Sequence, residues 1–341
     1  MKRQFILSSL LVLSLTACSL ENVKDPKVQK LATEKNVPGL IAYASDKYPG
    51  FGEVQAVEAL GEIGDKQAVE PLIGMLKRAS SGSESSGEID RRQAAATVLA
   101  KFKDERAFQP LVEATIDGST EVSSAAKVSL KELVASHPKL VDQLLTKLGK
   151  DDKAAIAALG AIGQPALDPL IEALKHPESG VRLDATSALA DIADPKAIPA
   201  LVENLTDPFT APMVGVALER VKYEPATDAD RIHYWIANKK GEDLRQNWQM
   251  TKSVLLQDLE TGDPGKIDYA VMSFIRIGEP NTIETLTQFL QEKGSKDIAL
   301  AYLNCGQEQL SKAGEDWANA QGYEVVRTEV PQNQATQWGE L

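Results

Sequence analysis

Six leucines, at positions 60, 99, 130, 159, 189 and 218, recur at intervals of 39, 31, 29, 30 and 29 residues. Leu60 sits in Ala-Leu-Gly-Glu-Ile-Gly, Leu159 in Ala-Leu-Gly-Ala-Ile-Gly and Leu189 in Ala-Leu-Ala-Asp-Ile-Ala, while Leu99, Leu130 and Leu218 occupy the same slot in looser copies. A second leucine follows 11 or 12 residues later in four copies (Leu72, Leu111, Leu170, Leu201), each with a proline one or two positions ahead of it (Pro71, Pro110, Pro169, Pro199). The best-preserved copy is Val181 to Pro208. Leu183, Ala185, Ala188, Leu189 and Ile192 recur there at helical spacing, and Ile198, Leu201, Val202 and Leu205 form a second stripe. Between them Asp194-Pro195 stops one helix and starts the next, because Asp caps a helix N-terminus and Pro fits a first turn whose N–H has no partner. A hairpin this small cannot bury both stripes by itself and needs a copy on each side. The sequence therefore predicts an all-α fold, an α-solenoid (superhelix) of about nine helical hairpins. An aromatic content of only 5% suits helices packed closely through alanine and leucine.

The other regularities have structural readings. Gly61, Gly64, Gly160 and Gly163 fall at the ends of first helices, where a small residue admits a neighbouring helix or takes a left-handed C-cap conformation. They follow a helix rather than a strand, so they are not a dinucleotide fingerprint. The long first interval contains a Ser/Gly-rich insertion, Ser80 to Gly87. Beyond Leu218 the pattern loosens. Pro225 to Asp230 reads as a turn, Arg231 to Asn238 as a short amphipathic helix and Leu244 to Leu259 as a longer one. The period returns at Tyr269 to Gly278 with Ile283 to Leu290 as partner, and Ile298 to Cys305 with Gln309 to Ala320 form a last pair that Trp317 and Tyr323 would cover. Residues 324–341 read as a polar, extended or disordered tail.

These motifs resemble the HEAT-like repeats of the phycobilisome-lyase type, whose pattern runs Val-Arg, then Ala-Leu-Gly-X-Ile-Gly-Asp-Pro, then Ala-Ile/Val-Pro-X-Leu. Val181-Arg182, Asp194-Pro195 and Ala197-Ile198-Pro199 carry the resemblance, with Asp65 and Ala68-Val69 in the earlier copy. It covers roughly residues 36–220 and implies a solenoid of HEAT-like hairpins. It implies a fold more than an activity, since such repeats serve scaffolds and enzymes alike.

The first residues belong to targeting rather than to the fold. Lys2 and Arg3 precede an apolar run from Phe5 to Leu15, and Leu15-Thr16-Ala17-Cys18 resembles the bacterial lipobox. The expected organisation is a lipoprotein signal peptide over 1–17, lipidated Cys18 and a polar tether over 18–35, the repeat array over 36–220, divergent repeats and a cap over 221–323, and the tail over 324–341. Two or three acyl chains on Cys18 give stable attachment where one gives reversible binding. Export to the cell envelope follows, at the periplasmic face of the outer or inner membrane or at a Gram-positive surface; Ser19 lacks the aspartate that retains enterobacterial lipoproteins at the inner membrane. Cys305, the second of two cysteines, then has no partner and reads as a small core residue.

Charge narrows the partners. The net charge of −12 becomes −14 once Lys2 and Arg3 are removed, which excludes nucleic acid and leaves the N-terminal lipid as the membrane contact. Chemistry is sparse. His137 and His176 precede prolines at helix ends and read as turn residues. No His-Glu pair of the kind used by the di-iron hydroxylase built on HEAT repeats occurs, and no metal spacing, serine elbow or phosphate loop is present, so neither catalytic residues nor a metal or cofactor are expected. The lyase activity implied by the resemblance belongs to cytoplasmic phycobiliprotein substrates and does not suit an exported chain. One cluster stands out. Arg231, His233, Tyr234, Trp235, Arg245 and Trp248 gather cations and aromatics within eighteen residues of an acidic chain, the composition of an interface hot spot. The alternative is that Tyr234 and Trp235 fill the gap where a repeat diverges; Asp228 and Asp230 beside His233 read as helix-cap residues rather than metal ligands. Two function classes remain: a membrane-anchored scaffold binding an unknown protein or peptide partner on the solenoid surface, and a lyase-like or other HEAT-repeat enzyme or maturation factor acting on a protein substrate.

Overall fold

The computed structural model describes residues 25–45, 51–77, 85–324 and 336–341, and among them it contains twenty α-helices and no strand. The chain divides into two compact units, residues 1–147 with 152–166 and residues 148–151 with 167–341. The first holds α1 (Pro26–Thr33), α2 (Val37–Ala44), α3 (Phe51–Ile63), α4 (Val69–Leu76), α5 (Ser86–Leu99), α6 (Phe108–Ala114), α7 (Thr120–Ser136), α8 (Leu140–Leu145) and α9 (Lys153–Ile162); α10 (Gln164–Ala173) starts in it and runs on into the second. The second continues with α11 (Ser179–Ile192), α12 (Ile198–Glu203), α13 (Ala211–Arg220), α14 (Asp228–Ala237), α15 (Gly241–Gln246), α16 (Trp248–Glu260), α17 (Pro264–Ile277), α18 (Ile283–Lys293), α19 (Lys296–Asn304) and α20 (Glu308–Ala320).

The leucine register is the core. Leu60, Leu99, Leu130, Leu159, Leu189 and Leu218 are each at most 1% exposed, and so are Leu72, Leu111, Leu170 and Leu201 on the partner helices. Close approach has a local cause in the first unit, where a Cβ on Gly61 would stand 2.7 Å from Val98 Cγ1 of α5. The turn inside each hairpin is also repeated. Asp65, Asp104 and Asp194 accept a hydrogen bond from the N–H two residues on (Gln67, Arg106, Lys196), starting a single 3₁₀ turn. Each turn ends on a buried alanine, Ala68, Ala107 or Ala197, before the second helix begins.

A pair of charges fastens two hairpins internally. The Arg92 guanidinium meets Asp117, and Arg182 Nε meets Asp207 Oδ2 at 2.7 Å. In both copies the arginine lies seven residues before the aligned leucine and the aspartate eighteen after it. The carboxylate's other oxygen accepts from the backbone two residues on, Ser119 N–H or Phe209 N–H, each at 2.9 Å. Each aspartate thus ties the end of a second helix to its own first helix while shaping the chain that enters the next repeat. Burial pushes the Asp207 carboxyl up, but Arg182 and the Phe209 N–H outweigh it and hold it below its ordinary value. Two further pairs, Lys101 with Glu62 and Arg220 with Asp191, join consecutive first helices two residues past the aligned leucines. They are solvated and contribute little.

The structure corrects several expectations. The tether expected over 18–35 is partly folded. Asp25 caps α1, Pro26 takes its first position, and Val28 and Ala32 are buried. Asp25 Oδ2 also accepts from the Tyr43 hydroxyl at 2.8 Å, so the array begins before residue 36. Leu183 is 39% exposed; the buried face of α11 runs instead through Val181, Ala185, Ala188 and Leu189. The helix expected over Leu244 to Leu259 is broken at Asn247 (φ −106°, ψ 35°), whose side-chain amide donates to Asp243 O. His137 closes α7, and His176 Nδ1 accepts from Glu178 N–H, as turn residues do. Cys305 is fully buried. Trp317 stacks on Tyr323 at 5.9 Å between centroids. The signal peptide, Cys18, residues 78–84 of the insertion region and residues 325–335 lie outside the described residues.

The last six residues are docked rather than free. Trp338 N–H donates to Cys305 O, Gly339 N–H to Ile275 O and Leu341 N–H to Arg276 O, each at 2.9 Å. These carbonyls stand at the C-terminal ends of α19 and α17, which have no helical donor. Arg276 Nε reaches Glu340 Oε1 at 2.6 Å, and Arg245 donates to Leu341 O at 2.5 Å.

Two substitutions test this account. Arg182→Met should cost about 2 kcal/mol, because it strands a half-buried carboxylate. Since the native Asp207 carboxyl is held low, its contribution is complete above the ordinary carboxylate range and is lost as pH falls through the lowered native value. The difference in urea midpoint between wild type and variant should therefore be full at pH 7 and shrink under acid. Ala193, closing α11, has a left-handed backbone (φ 52°, ψ 41°), so Ala193→Gly should stabilise by about 0.5 kcal/mol, read as a raised melting temperature.

Candidate functional site

The second unit contains a cleft of about 390 Å³. Its floor is one stripe of α17. Asp268, Met272 and Arg276 are four residues apart, hence one above another on the same helix face, and Tyr269 and Ser273 run beside them. One wall is the entry to α13, with Pro208, Phe209 and Pro212, and the end of α14, with Ile236. α19 contributes Asp297, Ile298 and Ala301, and Thr336 of the docked segment also lines the cleft.

The local sequence explains this placement. Asp207 Oδ1 accepts from Phe209 N–H, which turns the chain into α13, and Phe209, which lines the cleft, is 69% exposed. Ser273 is buried and donates to Tyr269 O at 2.6 Å, so it offers nothing to a ligand. Tyr269 is held by burial. Its hydroxyl donates to His233 O at 3.4 Å, and desolvation pushes it far above its ordinary titration range. Asp268 is half-buried. Burial, then the neighbouring Asp297 carboxylate, raises its pKa, and among the described residues neither carboxylate has a hydrogen bond or an ion pair. At the other end Arg276 is already matched by Glu340. The cleft is therefore apolar along its length, acidic at one end and neutralised at the other.

The cluster read from the sequence is not one surface. His233 and Tyr234 are buried, at 8% and 9% exposure. His233 Nε2 lies 2.8 Å from Asp258 Oδ2, with the Tyr269 ring edge-on at 5.7 Å, and Tyr234 packs edge-on against Tyr223 under Lys240. His233 serves the core between α14, α16 and α17, and Tyr234 packs towards the segment that follows α13. Trp235 and Trp248 are half-buried, and Trp248 meets Phe274 edge-on. Arg231 pairs with Asp228 on its own helix, and Arg245 is exposed and holds Leu341 O. Asp230 does not approach a metal position; its N–H donates to the Thr227 hydroxyl, which caps α14. Among the described residues no group of three or more His, Cys, Asp or Glu is placed to hold a metal ion, and no helix is long and apolar enough to cross a membrane. The cleft residues escaped the sequence reading because they come from four helices spread over ninety residues. The one available signal was Phe209, an aromatic in a turn just after the capping aspartate.

The docked segment bounds the cleft through a tight approach. A Cβ on Gly278, whose φ is +70°, would stand 2.4 Å from Gly339 Cα. Gly278→Ala should therefore release residues 336–341. Limited proteolysis should cut this segment faster than in wild type, while helical circular dichroism is kept.

No curated protein matches the chain in sequence. Among solved structures, human deoxyhypusine hydroxylase in complex with glycerol aligns over 74% of this chain and 91% of its own length, at 17% identity and a TM-score of 0.27, values too low to carry an argument about shape or activity. The family description that matches is HEAT repeats, over residues 37–131 and 137–219. That is more than half of the chain, it follows the buried leucine register from α2 to α13, and the chain belongs to the HEAT-repeat family.

Proposed function

We propose that this protein is a membrane-anchored scaffold that binds a protein or peptide partner through its second unit, held to the cell envelope by acyl chains on Cys18. The observation that carries the binding reading is the cleft along α17 with the exposed Phe209 in its lining: an open apolar surface of this kind receives side chains of a partner. The Leu15-Thr16-Ala17-Cys18 tetrapeptide supports the anchor. The phycobilisome-lyase character of Val181-Arg182 and Asp194-Pro195 concerns the repeat scaffold and adds no catalytic residue.

The test uses the full chain in its own membranes. Growth with radiolabelled palmitate should label the protein, and Cys18→Ala should abolish both the label and the membrane association; label retained on that variant overturns the anchor. A photo-crosslinking phenylalanine analogue at position 209 should capture a discrete protein, whereas the same group at Ile116, exposed in the first unit, should not. Absence of a product specific to position 209 overturns the scaffold reading, as does turnover of a captured protein by the purified chain, which would establish the enzyme class instead.

A further inference from the structure

We infer that the cleft along α17 selects an apolar–basic segment: an aromatic or aliphatic side chain seated over Met272, with a Lys or Arg about one helical turn away between Asp268 and Asp297. The inference rests on the scaffold reading and names the chemistry of the partner.

Three observations carry it. The first is shape. Phe209, Pro212, Ile236, Met272, Ile298 and Ala301 line a cleft of about 390 Å³. That space accommodates one large side chain with its flanking backbone, not a folded domain. The second is charge. Of the ionised groups on the cleft, Arg276 is matched by Glu340, which leaves Asp268 and Asp297 as the uncompensated pair among the described residues. These two carboxylates repel each other, and the repulsion is part of why Asp268 resists ionisation. A cation between them removes it, whereas an anion adds a third like charge. The rest of the molecule, at −12 overall, favours the cation in the same sense.

The third is spacing. Asp268 and Met272 are four residues apart on α17, a separation of about 6 Å along the helix axis. In an extended peptide, side chains on one face are two residues apart and about 6.6 Å from one another. An extended ligand therefore matches the cleft when its apolar and basic residues are separated by one position.

The probe is the peptide Gly-Ser-Phe-Thr-Lys-Ser-Gly, blocked at both ends, with Phe-Thr-Glu and Ser-Thr-Lys versions as controls. Binding to the full chain is followed by the ¹³C-methyl signal of Met272, assigned through Met272→Leu. The Phe-Thr-Lys peptide should shift this signal and bind about tenfold more tightly than either control. In the Asp268→Lys/Asp297→Lys protein the preference should reverse towards Phe-Thr-Glu, which also shows that the cleft is still folded. Equal binding of the Lys and Glu peptides, an unmoved Met272 signal, or a preference unchanged in the double variant would overturn the inference. Crosslinking at position 209 separates the two failures. A partner captured equally by wild type and double variant removes the apolar–basic selection and leaves the scaffold reading standing, whereas no captured partner removes the scaffold reading itself.

Discussion

A helical hairpin of thirty residues has two apolar stripes and only one internal interface, so one face is always left to a neighbour. Everything else in this chain follows from that shortage. Within each unit the first helices stack on one another, α3 on α5, α5 on α7 and α11 on α13, and an aligned leucine so buried is worth about 2 kcal/mol only while its neighbour is in place. Stability in such an array is a sum of local units and nearest-neighbour interfaces rather than the property of one central core. The turn chemistry serves the same end. An aspartate cap, a single 3₁₀ turn and a buried alanine aim the second helix back along the first, and the Arg–Asp pairs of α5 and α11 hold it there.

The same constraint explains where a binding surface can arise. Regular repeats fill their own grooves with the next copy's side chains. A cleft needs a place where the copies stop being equivalent, and that place is the second unit between α13 and α19. There α15 and α16 replace a regular hairpin with a short helix and a long one, and large aromatics take over the filling: Tyr234 against Tyr223, His233 against Tyr269, Trp248 against Phe274. With this irregular filling, Asp268, Met272 and Arg276 of α17 stay half-buried along the cleft.

The fold was legible in the sequence to the extent that it is periodic. Leu60 to Leu218 and their partner leucines lie where the spacing puts them, and Asp194-Pro195 divides its hairpin as capping chemistry predicts. Errors came where a residue's face depends on a neighbour rather than on its own helix. Leu183 is helically spaced with the buried set yet is exposed, whereas Val181 is buried with the turn at Gly149 packed against it. Lys27 to Lys30 make α1 look like a polar linker, although Val28 and Ala32 are buried and Asp25 at its start holds the Tyr43 hydroxyl. His233 and Tyr234 carry the composition of an interface and the burial of a core, and composition does not distinguish the two. The cleft itself was invisible, since it joins Phe209, Ile236, Met272 and Ile298 across ninety residues with no repeat to align them.

The docked segment at residues 336–341 sets an order of events. Among the described residues the side-chain hydrogen bonds outside this segment span at most 39 residues, so a nascent chain can add hairpins one at a time as they emerge. Leu341 and Glu340 instead reach back 96 and 64 residues, to Arg245 and Arg276. Those acceptors and donors exist as a surface only after α15, α17 and α19 have stacked. The strap therefore closes last, and closing it converts three successive repeats from a chain of separable links into a block that opens together. The lining of the cleft, to which Thr336 belongs, is completed at that final step.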